Sequence, residues 1–246
     1  MKYIETDKRF YKKLVKIALP IAMQSVITTG VNLVDTIMLG TLGETALSAS
    51  SLATQFITLF TFLCMGISMG ASVLTSRYWG AQNKDSLRET ITVALRFTVV
   101  LALVFTAVNI CVPRQIMELY TNESPVIEGG TVYLQWSTIT YILMALSTVT
   151  TNILRSADLA MIPLAASTTS FLVNIGANYI FIFGNFGVPA MGVRGAALAT
   201  VISRYAELAI VAVWTHTHVE KQPFIQGAFR SMWIPPSRSL ERHIRR

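Results

Sequence analysis

Charge is what this 246-residue chain has least of. Asp, Glu, Lys and Arg together make up 13% of it, against about 25% in an ordinary soluble domain. That shortage excludes a conventional water-facing surface. Cysteine is scarce as well: Cys64 and Cys111 lie in or at the end of apolar runs with no metal-ligand spacing. A disulfide framework and a zinc site are thereby set aside, and both thiols read as packing residues. The three histidines, His216, His218 and His243, all stand near the C-terminus. Their absence elsewhere bears on GISMG, Gly66 to Gly70, which matches the G-x-S-x-G of a hydrolase but needs a histidine partner and a strand–turn–helix setting. An intramembrane hydrolase would require Ser68 to act without that partner. The same five residues are also G-x-x-x-G, a pattern that permits close helix packing. No G-x-x-x-x-G-K-[ST] loop is present, which excludes ATP hydrolysis by that route. The chain reads as no enzyme.

What the sequence does contain is apolar length: 52% of its residues are hydrophobic. Ile17 to Leu42 carries one charge, Asp35, and Thr45 to Ser76 carries none over 32 residues. A bilayer core about 30 Å thick needs roughly 20 apolar residues per helix. Six such stretches are expected, at about Ile17 to Gly40, within Thr45 to Ser76, and at Thr90 to Val112. The fourth lies within Gly129 to Leu154, the fifth runs from Leu159 or Pro163 to about Gly184, and the last from Met191 to Thr215. The first stretch is too long for a signal-peptide core of about 7 to 15 residues and reads as a retained helix. The expected class is an all-α polytopic membrane protein: a basic segment at 1–16, a six-helix lobe at 17–215 and a basic tail at 216–246.

The net charge of +7 fits a membrane chain with basic cytoplasmic loops, so no nucleic-acid partner is inferred. Six bases precede the first span, and Arg77, Lys84 and Arg88 join the second to the third. Glu44 alone marks the first loop, and Glu118, Glu123 and Glu128 outnumber Arg114 in the third. Only Arg194 marks the loop before the sixth span, and the tail from Val219 is again basic. By the positive-inside rule both termini face the cytoplasm of an inner membrane.

Within the spans, a carboxylate at the centre of a helix costs about 2.5 to 3.5 kcal/mol to insert and so marks a site. Asp35 is such a group. Gln24, Thr28 and Asn32 precede it at helical spacing and form a polar stripe on one face. Asn174 and Asn178, four apart on the fifth span, and Thr200, early in the returning sixth, fall at the same depth by counting about 1.5 Å per residue. One carboxylate with amide and hydroxyl oxygens suits Na⁺ or a proton. Asn, Gln and Thr in spans also serve simply to bond helices together. Arg204 and Glu207, three apart, read first as an intramembrane ion pair, with a part in proton coupling as the alternative.

These residues resemble a known family, the multidrug and toxic compound extrusion (MATE) transporters. The resemblance is carried by ALPIAMQSVITTGVNLVDTIMLGTLGETALSASSLA, GASVLTSRYWGAQNKDSLRE, NILRSADLAMIPLAA and NIGANYIFIFGNFGVPAMGVRGAALATVISR. It implies an antiporter that exports small organic cations or drugs across the bilayer, with Na⁺ or H⁺ as the coupling ion and no other cofactor. It places a cation or proton site at Asp35, with Asn174, Asn178 and Thr200. It makes Pro20 the point where the first helix bends in some members. Some members carry an aspartate where this chain has Asn178, so the site here is less negative. Family members have about twelve spans in two lobes. The expectation is therefore an N-terminal lobe that works with a C-terminal lobe or a second copy, or else a truncated fragment that does not transport.

Overall fold

A computed structural model describes residues 8–217. Eight α-helices follow in order: α1 (Lys8–Gly40), α2 (Glu44–Gly80), α3 (Lys84–Cys111), α4 (Pro113–Glu118), α5 (Ser124–Trp136), α6 (Thr140–Ser156), α7 (Met161–Phe183) and α8 (Val193–Thr217). Among the described residues there is no strand. The tail from residue 218 and the first seven residues lie outside the described part.

Five helices are long and apolar enough to cross a membrane: α1 from Leu14, α2, α3, α7 and α8. The fourth expected span is the exception. It consists of α5 and α6, which pass the same test together but meet at 59°. Neither proline nor glycine makes this break, and side chains satisfy the backbone it frees. Asn109 of α3, fully buried, donates to the carbonyl of Leu134 at 2.7 Å and to Thr138 Oγ1 at 2.8 Å. Ser137 and Thr138 turn their own hydroxyls back onto the same carbonyl. In lipid an interrupted helix survives only when its freed groups find such partners.

Two other boundaries differ from the sequence expectation. Within the described residues α1 already runs from Lys8, so bases expected in a separate cytoplasmic segment belong to it, while its membrane-spanning part starts at Leu14. α2 and α3 each extend into the basic connection between them, and Asn83 caps α3 by accepting from the Ser86 amide at 3.1 Å. That hydrogen bond satisfies one of the donors left open at a helix start.

The core sits between α2, α3 and α6. Phe60 of α2 and Tyr141 of α6, both fully buried, meet edge to face at 5.1 Å, with Phe105 of α3 completing the cluster. α7 and α8 form a tight hairpin. Gly184 ends α7 in the left-handed conformation, at φ 75°, and the returning chain donates Met191 N to Phe181 O at 2.9 Å. Where α8 crosses this turn, a Cβ on Gly195 would lie 2.5 Å from the Phe181 carbonyl, so only glycine fits. The G-x-x-x-G reading of Gly66 and Gly70 does not hold within this chain. Both are exposed, a Cβ added at either would meet nothing within 4 Å, and it is Ser68 between them that turns inward. Large apolar side chains such as Val26, Phe62 and Phe97 face outward, as they do on helices solvated by lipid.

Candidate functional site

α1 lies at the edge of the lobe, packed mainly on α7. Between it and α2, α5, α6, α7 and α8 is a cavity of about 630 Å³. Gln24, Thr28, Asn32 and Asp35 all line it, because residues three, four and seven apart share a helix face. Thr28 returns its hydroxyl to Gln24 O at 2.9 Å, which ties the stripe to its own backbone.

At one end of the cavity, Asn178 donates its side-chain amide to Asp35 Oδ1. The same amide nitrogen lies 3.2 Å from Asn174 Oδ1. Both asparagines are 1% exposed, and Asn178 Oδ1 has no hydrogen-bond partner. A buried carbonyl oxygen left unsatisfied is costly, by about 1–3 kcal/mol, and here it stands beside a carboxylate. Thr200 lines the same cavity as Asp35. Its hydroxyl donates to Ala196 O at 3.0 Å, and it lies near the phenol of Tyr133, as does Thr54. Tyr133, Thr54, Thr200 and Asp35 line the same cavity. Sequence reasoning missed Tyr133 because its place depends on the bend after Trp136, which aims the last turn of α5 inward.

The donor set fits a hard monovalent cation: one carboxylate, amide carbonyls and hydroxyls, with no soft ligand. Among the described residues no cluster of three His, Cys, Asp or Glu exists, so a multi-carboxylate metal centre is not built here.

Farther along the cavity is a second network, of which the sequence revealed the Arg204–Glu207 pair but not the links through Ser167, Gln24 and Arg155. Arg204 donates to Glu207 Oε2 at 2.9 Å, the pair expected from their spacing. Glu207, 5% exposed, also accepts from Ser167 of α7 at 3.3 Å. Gln24 donates to Ser167 Oγ at 2.7 Å and accepts from Arg155 of α6. One amide thus joins α1 to both α6 and α7. Pro20 lies one turn earlier, within a helix that continues through it, and removes one backbone donor there.

Fold and cavity define a polytopic helical membrane protein whose edge helix presents an intramembrane carboxylate to a cavity. The chain belongs to the MatE family, whose model matches residues 20–180. It is 29% identical over 243 residues to a probable multidrug resistance protein NorM of Thermotoga maritima, covering 96% of this chain and 49% of that one. It is 28% identical over 225 residues to a probable multidrug resistance protein NorM of Neisseria meningitidis serogroup B, covering 87% and 46%. A crystal structure of MATE in complex with MaL6 superposes with a TM-score of 0.80 at 22% identity, over 95% of this chain and 50% of that chain. The chain spans about half the length of the curated relatives it matches.

Proposed function

We propose that this chain is the N-terminal six-helix lobe of an antiporter that exports organic, cationic drugs in exchange for Na⁺ or H⁺. The observation that carries the reading is Asp35: an intramembrane carboxylate facing a cavity, held by Asn178, grouped with the Asn174 amide oxygen, and sharing the cavity wall with Tyr133 and Thr200. A proton or a monovalent cation at Asp35 cancels the charge that would hold a cationic compound in the same cavity. Two ligands that need one carboxylate exclude each other, and mutual exclusion is the requirement for exchange. The relatives' description as multidrug resistance proteins supports the choice of cargo.

The lobe lies in the cell's inner membrane with both termini cytoplasmic, as the basic loops favour. The relatives are about twice as long, and alternating access moves one lobe against another. The cycle is therefore assigned to this lobe with a second one, supplied by a C-terminal lobe or a second copy.

Ethidium efflux from cells expressing the chain, alone and as a tethered tandem, tests the reading. Efflux above empty vector that disappears in Asp35→Asn supports it. Efflux at the vector level in both arms rules out a second copy as the partner lobe, and efflux that survives Asp35→Asn sinks the proposal. The ion is identified by imposing a Na⁺ gradient or a pH gradient separately.

A further inference from the structure

We propose that Asn109 of α3 is a positioning residue for the Asp35 end of the cavity: it holds the fourth span bent, and the bend sets Tyr133 against that end. The inference goes beyond the transport reading and stands whatever the cavity carries.

Nothing in the span itself dictates the bend. From Thr131 to Ile162 there is no proline or glycine. Ser137 and Thr138 return their hydroxyls three and four residues back, to Leu134 O. Ser50 and Thr98 make the same kinds of bond inside the unbroken α2 and α3, so these hydroxyls suit a straight helix equally well. The backbone is where the turn differs: the amides of Thr138 and Thr140 bond three residues back, to Gln135 O at 3.4 Å and Ser137 O at 2.9 Å. In a continuous α-helix Thr138 N would bond Leu134 O. Asn109 takes that acceptor from outside the span, and a side chain inserted into the backbone ladder is a recognised cause of a kink. It gives both amide hydrogens to the break, to Leu134 O and Thr138 Oγ1, and leaves its own buried Oδ1 without a partner. A residue kept only for stability is not expected to carry that cost.

The bend reaches the cavity through Tyr133, which directly precedes Leu134. Tyr133 lines the cavity with Asp35, and α6, beyond the bend, supplies Met144 and Ser147 to the same wall. Asn109 is fully buried and is not among the described residues that line the cavity, so it acts on the site through the span. The outer part of α5 is fixed separately, packed so closely on α2 that a Cβ on Gly129 would lie 2.9 Å from Ala49 Cβ. Loss of the Asn109 amide therefore falls on the last turn of α5, which regains pairing four residues back and carries Tyr133 with it.

Fluorine NMR of the chain in lipid nanodiscs, with 3-fluorotyrosine in place of tyrosine, tests this. Tyr133→Phe assigns the Tyr133 signal, and Asp35→Asn gives the shift by which that signal senses Asp35. Asn109→Leu and the smaller Asn109→Ala are expected to move the Tyr133 signal and to leave those of the outward-facing Tyr179 and Tyr205 in place. Both should also cut the shift caused by Asp35→Asn by about twofold or more. Ile139→Pro is the rescue: Ile139 has φ −68°, the angle a proline ring fixes, and proline resists a straight helix. Added to Asn109→Leu, it should return the Tyr133 signal and its response to Asp35. Lost stability alone would neither single out one tyrosine nor be undone by a proline. The assignment is overturned by a Tyr133 signal that ignores Asp35→Asn in the unaltered chain, or by one that keeps its place or its response in both Asn109 variants. It is equally overturned if Ile139→Pro restores nothing, or if neither Asn109 variant folds. All these outcomes leave the efflux test of the transport reading untouched.

Discussion

Asn178 of α7 and Asp35 of α1 are joined directly: the amide of one donates to the carboxylate of the other, across the interface that seats the edge helix. Asn178→Leu removes that donor and leaves a carboxylate facing an apolar side chain. A loss of about 1–3 kcal/mol is expected, read as a lower unfolding midpoint in nanodiscs. Asp35→Asn keeps the shape of the contact, so its unfolding midpoint should fall less than that of Asn178→Leu. A larger fall in Asp35→Asn would contradict the geometry.

The phenol of Tyr133 lies near two hydroxyls at the cavity wall, those of Thr54 on α2 and Thr200 on α8. Tyr133→Phe leaves the ring in place and deletes only the phenol oxygen. The expected cost is about 0.5–1.5 kcal/mol, with weaker Na⁺ binding or a shifted pH dependence at the Asp35 end. Thr54→Val should cost less than Tyr133→Phe, because a second hydroxyl, Thr200, stays near the phenol. Equal unfolding midpoints for Tyr133→Phe and the unaltered chain would show that the phenol bonds contribute nothing.

Arg204 and Glu207 form an unequal pair, the arginine side chain 31% exposed and the glutamate 6%. Arg204→Leu leaves a buried carboxylate with Ser167 as its remaining hydrogen-bond donor, whereas Glu207→Gln leaves a guanidinium that still reaches the open cavity. The first change should therefore destabilise more than the second. Changing both should cost less than the sum, since neighbours in one network are not additive. A double-mutant cycle with a coupling below about 0.5 kcal/mol would reject the pairing as a contributor to stability.

Glycines in this lobe separate into two kinds. Gly195→Ala sets a Cβ 2.5 Å from backbone atoms of Phe181, and no rotamer can relieve a clash between main chains. A loss of at least about 1–3 kcal/mol is expected. Gly66→Ala and Gly70→Ala meet nothing within 4 Å and should be neutral or slightly stabilising through helix propensity. Parallel unfolding of the three variants checks the contrast.

Much of this arrangement is legible in the amino-acid sequence. Apolar length locates the helices of five spans, and residue counting places Asp35, Asn174 and Asn178 at one depth, because both inferences need only a 1.5 Å rise and a constant direction. The fourth span reads as one helix because Trp136, Ser137 and Thr138 carry no breaking residue. The freed carbonyl at the break is held by Asn109, 25 residues away in sequence, as well as by the local Ser137 and Thr138 hydroxyls. Tyr133 and Arg155 stay hidden for a related reason: each acts through a partner on another helix, and helical periodicity describes only one helix at a time. The Gly66/Gly70 pattern fails in the other direction, since a spacing shared with packing motifs says nothing about whether a neighbour is present.

The edge position of α1 has a consequence in time. Apart from Pro20, its described buried residues are Gln24 and Leu39, while α2, α3 and α6 share an aromatic core. Local opening is drawn from elements with the fewest buried contacts. Amide hydrogens of α1 should therefore exchange before those around Phe60 and Tyr141, with the slowest α1 amides near Gln24 and Asp35. The lobe thus divides into a slow body and one fast helix, and the fast helix is the one that carries the carboxylate.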